Sequence, residues 1–278
     1  MRPFVASLLA ATAAAFMVSW PAAAETILPD FSTAQFDPAQ PINNPYFPMT
    51  DSRTYVYSGS DEDGPVDERF EHTNTGLGPV IAGVQTSIQQ DLEFEDGLLV
   101  EKTFDYFAQD TLGNVWYLGE DVTKFEYDED GNLIGTTTEG AWRAGVNGAD
   151  PGFIMPADLV IGFNYFQEHA ELDDAMDQGT IFAFIDELVL DIGTFQNVLQ
   201  ILETTELEPD AREFKYYAPG VGLILVEEDL DEDFENPELV FELTDIRSVP
   251  EPGTAGLLLL GLVAGASARL VRRRTRRR

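Results

Sequence analysis

From Arg53 onward, apolar and polar residues alternate at every second position, and clusters of turn residues separate the alternating runs. Such runs, bounded by Gly, Asp, Asn or Pro, are typical of β-strands that have one buried face. The sequence therefore predicts an all-β domain with strands at 53–57, 66–72, 84–94, 98–107, 115–118, 122–127, 133–142, 165–172, 200–206, 214–217, 222–228 and 239–246.

The turn between the third and fourth predicted strands indicates how the strands pair. A two-residue turn at Asp96-Gly97 would pair Glu95 with Leu98 and place apolar residues opposite polar ones. A three-residue loop with Gly97 in the left-handed region instead pairs Phe94 with Leu98, as in a type I turn followed by a bulge. We therefore predict the three-residue loop, which makes neighbouring strands antiparallel.

The same loop type at 129–131 pairs Tyr127 with Leu133, and Pro219-Gly220 suits a type II turn. Successive strands joined by short turns predict a single antiparallel meander. We expect this meander to form a curved sheet, an open barrel or a sandwich. A signal helix is expected before the domain, and a transmembrane helix after it.

Other stretches carry weaker patterns. Glycine and proline predict a loop over 143–164. The apolar spacing over 181–192 fits either a helix or two strands, and its Phe, Ile and Val content favours the strands. One short helical turn is expected at 194–199. The proline-rich segment 25–50 is expected to lie over the domain through its aromatic residues Phe31, Phe36, Tyr46 and Phe47.

The N-terminus reads as a secretory signal peptide. Arg2 precedes an apolar run over 4–20, and Ala22 and Ala24 supply the small residues of a cleavage site. We expect signal peptidase to cut after Ala24, so that residues 1–24 are a signal peptide; an uncleaved anchor is the alternative. In both cases the following domain, 25–248, is exported.

The C-terminus combines three features. Pro250-Glu251-Pro252 precedes an uncharged run over 254–268. Fifteen helical residues reach about 22 Å, short of the ~30 Å hydrocarbon core, so flanking residues must extend the span. A basic cluster follows and is expected on the cytoplasmic side as a stop-transfer signal: Arg272, Arg273, Arg274, Arg276, Arg277 and Arg278.

This order of proline motif, short apolar run and arginine cluster resembles the PEP-CTERM sorting tail of Gram-negative bacteria, over residues 249–278. The resemblance implies that an exosortase recognises Pro250, Glu251 and Pro252 and processes the protein, which the tail anchors in the inner membrane until then. It also implies an association with exopolysaccharide or biofilm. Segments 44–48, 110–117 and 216–223 resemble secreted bacterial β-rich proteins and lipoproteins of no established activity.

Charge restricts the partners of the exported part. Residues 25–251 contain all 50 Asp and Glu residues but only eight of the 16 Lys and Arg residues, which leaves a net charge of about −42. Nucleic acid is excluded as a partner, because binding it requires a basic surface. The chain also contains no cysteine, so disulfides, thiol catalysis and cysteine-ligated metals are excluded.

Acidic turns are the candidate metal sites. Glu126, Asp128 and Asp130 are spaced two apart, like the first ligands of a calcium-binding EF-hand loop, and Gly131 follows them. The position of the final EF-hand ligand holds Thr137, and flanking helices are absent from the pattern. Hairpin turns are also rich in Asp and Gly without binding metal. Calcium is therefore a possible ligand, and no other cofactor is expected.

Catalytic patterns are sparse. The two histidines, His72 and His169, lie far apart in the sequence, and His72 is expected on the surface. No Gly-x-Ser-x-Gly motif accompanies them. Two carboxylates can hydrolyse glycosidic bonds, but fifty acidic residues do not single out a pair. Five aromatic residues are candidates for a sugar-stacking platform or for the core: Trp116, Tyr117, Trp142, Tyr216 and Tyr217.

The sequence thus predicts an exported surface or matrix protein whose body is a binding or structural module and not an enzyme. Its expected partners are signal peptidase, exosortase and either an exopolysaccharide or another surface protein. A secreted carbohydrate-active hydrolase and a calcium-dependent structural module are the alternatives.

Overall fold

The computed structural model describes residues 25–49 and 52–248. The predicted signal peptide with Ala22 and Ala24, and the predicted tail with its proline motif and arginines, lie outside the described residues. Within the described ranges, no helix combines the length and the apolar character that crossing a membrane requires.

Strands account for most of the described chain. The first nine are β1 (Asn43–Asn44), β2 (Phe47–Pro48), β3 (Arg53–Asp61), β4 (Gly64–Ile81), β5 (Val84–Glu95), β6 (Leu98–Gln109), β7 (Val115–Tyr127), β8 (Leu133–Thr137) and β9 (Trp142–Arg143). The others are β10 (Asp150–Met155), β11 (Asn164–Phe166), β12 (Glu168–His169), β13 (Asp177–Leu190), β14 (Gly193–Thr205), β15 (Arg212–Ala218), β16 (Gly222–Glu228) and β17 (Leu239–Ser248). Short 3-10 helices lie at Phe31–Thr33 and Glu171–Asp173.

One antiparallel sheet contains all of these strands except the β1–β2 hairpin. Strands β3 to β7 form one meander and β13 to β17 another, and β17 pairs with β3 through Leu243 opposite Tyr57. At the two ends of the sheet, β10 pairs with β7 and β11 with β13. The sheet therefore curves into a nearly closed, barrel-like form, and the all-β prediction is confirmed.

The turn predicted at 95–97 is wrong. Asp96 and Gly97 both have positive φ angles, 51° and 77°, and Glu95 pairs directly with Leu98 in a two-residue turn. A bulge at Val100, beyond the turn, shifts the register by one residue. Such a bulge restores the face alternation that we had assigned to a longer loop.

The bulge also decides which face of β5 and β6 points inward. Gln89 and Asp91 on β5, and Asp105 and Phe107 on β6, line a cavity inside the curved sheet. Alternation therefore places Ile88 and its neighbours on the opposite, outer face. The predicted apolar face of this hairpin is thus not the face that lines the interior.

Other turn predictions are confirmed. Tyr127 pairs with Leu133, and Gly220 has a φ of 77° at the turn that joins β15 to β16. Two assignments were wrong because pairing overrides local pattern, and at 181–192 the preference for strand over helix is confirmed but the number of strands is not. Strand β10 lies within the predicted loop 143–164, β14 continues through the predicted helical turn 194–199, and the ambiguous region 181–192 contains most of one long strand, β13.

The apolar core is divided into two clusters. One is centred on Trp116, Tyr165 and Ile181, and the other includes Val198, Ile224 and Leu243. The N-terminal segment packs on the first cluster through Phe31, Phe36, Tyr46 and Phe47, as predicted.

Candidate functional site

A cavity of about 150 Å³ opens on the inner side of the sheet. Strands β3 to β6, β15 and β16 supply most of its wall, and the β1–β2 hairpin and β10 contribute to its rim. Its polar lining residues are Tyr55, Tyr57, His72, Asn74, Gln89, Asp91, Asp105, Lys215 and Tyr217, and its apolar ones include Phe47, Met49, Phe107, Ile154 and Leu223.

His72 and Asp91 form a pair in the wall. They lie opposite each other on β4 and β5, and His72 Nε2 is 3.2 Å from Asp91 Oδ2. Burial, reinforced by the charge of Lys215, lowers the pKa of His72 to about 3, so its imidazole is neutral at physiological pH. The predicted surface position of His72 was wrong, because its side chain faces inward and its ring packs against the rings of Tyr57 and Phe70.

Asp91 has more hydrogen-bonding capacity than its neighbours use. Its Oδ1 atom is enclosed and accepts no hydrogen bond from the described residues. Burial, followed by the negative charge of Asp105, raises the pKa of Asp91 well above its ordinary value.

Asp105 and Glu120 lie directly opposite each other on β6 and β7. The Tyr117 hydroxyl donates a hydrogen bond to Asp105 Oδ1. Burial raises the pKa of Asp105 to about 7 although the Tyr117 hydrogen bond lowers it. Burial and the charge of Asp105 raise the pKa of Glu120 to about 9. The two carboxyl groups therefore favour states in which they hold protons.

Lys215 is the basic residue of the cavity wall, and it forms ion pairs with the carboxylates of Glu203 and Glu213. Its Nζ atom lies 2.6 Å from Glu203 Oε2 and 3.0 Å from Glu213 Oε1. Gln167 Nε2 donates to the other Glu203 oxygen at 2.8 Å. Burial lowers the pKa of Lys215, but Glu203 and Glu213 outweigh this effect and raise it well above its usual value.

The cavity rim is fixed by contacts of the β1–β2 hairpin. The Gly220 backbone N–H donates to Pro45 O at 2.7 Å, and the Tyr46 hydroxyl donates to Asn197 O at 3.0 Å. The rings of Phe47 and Phe107 meet edge to face with centroids 5.0 Å apart. The N-terminal segment thus forms one side of the opening.

Carboxyl groups with raised pKa extend beyond the cavity along the sheet. In each case burial is the largest cause. They are Asp91, Glu93, Asp105, Glu120, Glu168, Asp177, Glu203 and Glu228. Such an environment stores protons or accepts positive charge, because isolated carboxylates are costly to desolvate.

Of the calcium candidates, Glu126 lies near the end of β7, and Asp128 and Asp130 lie in the turn between β7 and β8. Asp128 Oδ1 accepts hydrogen bonds from the backbone N–H groups of Asp130 and Asn132 at 3.1 and 2.8 Å, which lowers its pKa. The carboxylate of Glu126 lies beside Gly135. In the described ranges, no three His, Cys, Asp or Glu residues are grouped so as to hold a metal ion. Calcium binding by this turn stays a prediction.

The five candidate stacking aromatics are all buried, so none of them forms an exposed platform. Tyr217 lines the cavity, and the Tyr117 hydroxyl reaches Asp105 from within the sheet. Sequence reasoning did not single out Lys215 or Asp91. The sequence does contain a signal for Lys215. In the predicted strand Phe214-Lys215-Tyr216-Tyr217, residues two apart share a face, so Lys215 points to the same side as Tyr217.

Comparison with known proteins identifies the C-terminal segment. Residues 248–274 match the PEP-CTERM protein-sorting motif. The motif implies an exported protein that is anchored in the membrane before exosortase processes it. The PEP-CTERM resemblance of the tail is thereby confirmed.

For the chain as a whole, no curated protein matches. Two solved structures are similar. A candidate exported protein with a YmcC-like fold from Bacteroides fragilis has 10% identity and a TM-score of 0.39, over 73% of this chain and 99% of that one. A candidate lipoprotein from Parabacteroides distasonis has 12% identity and a TM-score of 0.34, over 73% and 98%.

Proposed function

We propose that this chain is a cell-surface or extracellular-matrix protein whose β domain binds a small polar ligand without turning it over. The cavity around Asp91 and Lys215 is the observation that carries this proposal, because concave sites that combine aromatic walls with a few polar groups are typical ligand sites. The PEP-CTERM motif supports delivery to the exterior.

A single sugar ring suits the cavity. Its volume of about 150 Å³ is close to that of a cavity that holds one benzene ring. Asn74 and Gln89 offer amide groups to hydroxyls, and the Tyr55 and Phe107 rings offer apolar surface to the face of a sugar. One unit of an exopolysaccharide is therefore the proposed ligand, and another surface protein is the alternative partner.

A carbohydrate-active hydrolase is the second candidate. Asp105 and Glu120 face each other across β6 and β7, so their Cβ atoms are expected about 5 Å apart. Retaining glycosidases use two carboxyl groups about 5 Å apart, one of them protonated. The raised pKa values of both groups favour such a protonated acid.

A panel of oligosaccharides and polysaccharides, incubated with the processed protein, separates the two candidates. Binding seen by calorimetry, with no new reducing ends, supports the binding module. Release of reducing ends that Glu120→Gln abolishes would establish the hydrolase instead. The absence of both binding and turnover across the panel would contradict both proposals.

Sorting is tested separately. Replacing Pro250, Glu251 and Pro252 with alanine is expected to leave the full-length protein in the inner membrane, which fractionation and immunoblotting detect. Normal processing of this variant would refute recognition of the motif by exosortase. A variant with Pro252 alone replaced shows how much of the motif is required.

A further inference from the structure

The geometry points to a ligand that carries a positively charged amino group at the Asp91–Asp105 wall of the cavity, such as a sugar unit with a free amine. This inference rests on the binding function proposed above, and it adds the chemical class of the ligand.

Acidic residues outnumber basic ones in the cavity lining. Asp91 and Asp105 both line it, whereas Lys215 is the one Lys or Arg residue among its lining residues. Lys215 is held by Glu203 and Glu213, which lie 2.6 and 3.0 Å from its Nζ atom. The charge of Lys215 lowers the pKa of Asp91 and Asp105, but burial outweighs it and leaves both raised, so Lys215 only partly balances the two aspartates.

Histidine does not supply the missing charge. His72 contacts Asp91, but burial lowers its pKa to about 3, so it is neutral when the aspartates would ionise. Unpaired buried carboxylates are costly, and this cost is removed either by protons or by a bound cation. An anionic ligand, such as a uronic acid, would add to the excess of negative charge.

Asp91 also has unused hydrogen-bonding capacity. Its Oδ1 atom is closed off from solvent and accepts no hydrogen bond from residues 25–49 or 52–248, while Oδ2 contacts His72. Asp91 is also one of the residues that line the cavity, so this unused acceptor belongs to the cavity wall.

An ammonium group has three donors to satisfy. Asp91 and Asp105 lie diagonally on the inner face of β5 and β6, and Gln89 pairs directly with Asp105. These side chains offer two carboxyl groups and one amide oxygen on the same face. The wall therefore presents enough acceptors for one ammonium group.

Calorimetry on the processed protein with three matched sugars tests the inference. We expect glucosamine to bind at least about tenfold more tightly than glucose at pH 7 and 0.15 M salt, because hydrogen bonds to charged groups are the stronger ones. N-acetylglucosamine, whose nitrogen is uncharged, should bind like glucose. Equal affinity for all three would overturn the amine inference and leave sugar binding standing; no binding by any would overturn both.

Two variants separate the wall from general attraction by an acidic protein. Asp91→Asn keeps the shape but cannot take on the negative charge that a bound ammonium group would stabilise on Asp91, and should reduce the preference for glucosamine to about twofold or less. Asp67→Asn removes an exposed carboxylate of β4 and should keep the preference intact. A preference that survives Asp91→Asn, or that falls equally in Asp67→Asn, would refute recognition at this wall. Unchanged thermal unfolding of each variant checks that it is folded.

Discussion

Strands β14 and β5 have similar lengths and belong to the same sheet, but they differ in what their faces contact. Residues 198–203 of β14 are all buried, so both faces of that strand are packed. In β5, only Val84 and Thr86 are fully buried, and the inner face borders the cavity. The comparison indicates that β14 contributes mainly to stability, whereas β5 supplies the chemistry of the cavity.

The charged residues follow the same division. Glu203 on β14 is 5% exposed and is held by Lys215 and Gln167. Asp91 on β5 contacts His72 through one oxygen, and its other oxygen has no donor among the residues that the structure describes. A fully satisfied buried network rigidifies a wall, whereas a buried oxygen without a donor keeps acceptor capacity that a ligand can use. Four predictions test this division.

The largest effect is expected from core truncation on β14. Ile201 is completely buried, so Ile201→Ala should lower the free energy of unfolding by about 3–4 kcal/mol through lost transfer energy and a new cavity. Ile88→Ala on the outer face of β5 should cost less than about 1.5 kcal/mol, because that side chain is only half-buried. Urea titration measures both. Equal losses would contradict the comparison.

The next effect concerns the ion pairs of Lys215. Glu203→Gln should lower the free energy of unfolding by about 2 kcal/mol, because it leaves a buried cation with one carboxylate fewer. Glu213→Gln is the matched control on the neighbouring strand. Its side chain is 29% exposed, so its loss should cost less than about 1 kcal/mol. A larger loss in the control would show that Glu203 is not the main partner.

Unfolding should also depend on pH in a definite direction. Burial raises the pKa of Glu93, Asp105 and Glu228 to about 7 in the folded protein, from 4.5 for Glu and 3.8 for Asp. Between these values and pH 7 the folded state binds protons that the unfolded state has released, so stability falls as the pH rises. His72, with its pKa lowered from 6.5 to about 3, acts in the opposite direction but with one proton only.

Thermal unfolding at pH 5 and pH 8 measures this dependence, and we expect a melting temperature several degrees higher at pH 5. Glu93→Gln should reduce the difference by removing one of the three groups, whereas Asp67→Asn on the exposed face should not. This control separates inner-face carboxyl groups from the general repulsion of an acidic protein. A higher melting temperature at pH 8 would contradict the burial of these groups.

Local sequence signals predicted the strands and several turns, because alternation and turn chemistry are encoded within about ten residues. The pairing of Tyr127 with Leu133 is of this kind. The pairing of β17 with β3 joins residues nearly 190 positions apart, as in Leu243 opposite Tyr57, and no local pattern encodes it. That long-range pair is what curves two meanders into one enclosing sheet.

The same limit applies to the candidate site. Alternation shows which residues of β5 and β6 share a face, but it does not show which face points inward. The inner face carries Gln89, Asp91 and Asp105, because it borders a polar cavity and not a packed core. Composition predicts the acidic character of the domain, but among fifty acidic residues it does not identify the few that line the cavity. The sorting motif of the tail is contiguous in the sequence and does not depend on folding to bring residues together, so it was found from sequence alone.

The smallest expected effect lies in the exposed turn between β7 and β8. Asp128 caps that turn through the backbone N–H groups of Asp130 and Asn132, so Asp128→Ala should lower the melting temperature by about 1–3 °C. Asp128→Asn keeps an accepting oxygen and should stay near the parent value. If Glu126, Asp128 and Asp130 bind calcium, millimolar calcium should raise the melting temperature of the parent more than magnesium does, and Asp128→Asn should lose that rise. If Asp128 only caps the turn, the melting temperatures of the parent, Asp128→Ala and Asp128→Asn will not respond to calcium, and that result would refute the calcium site.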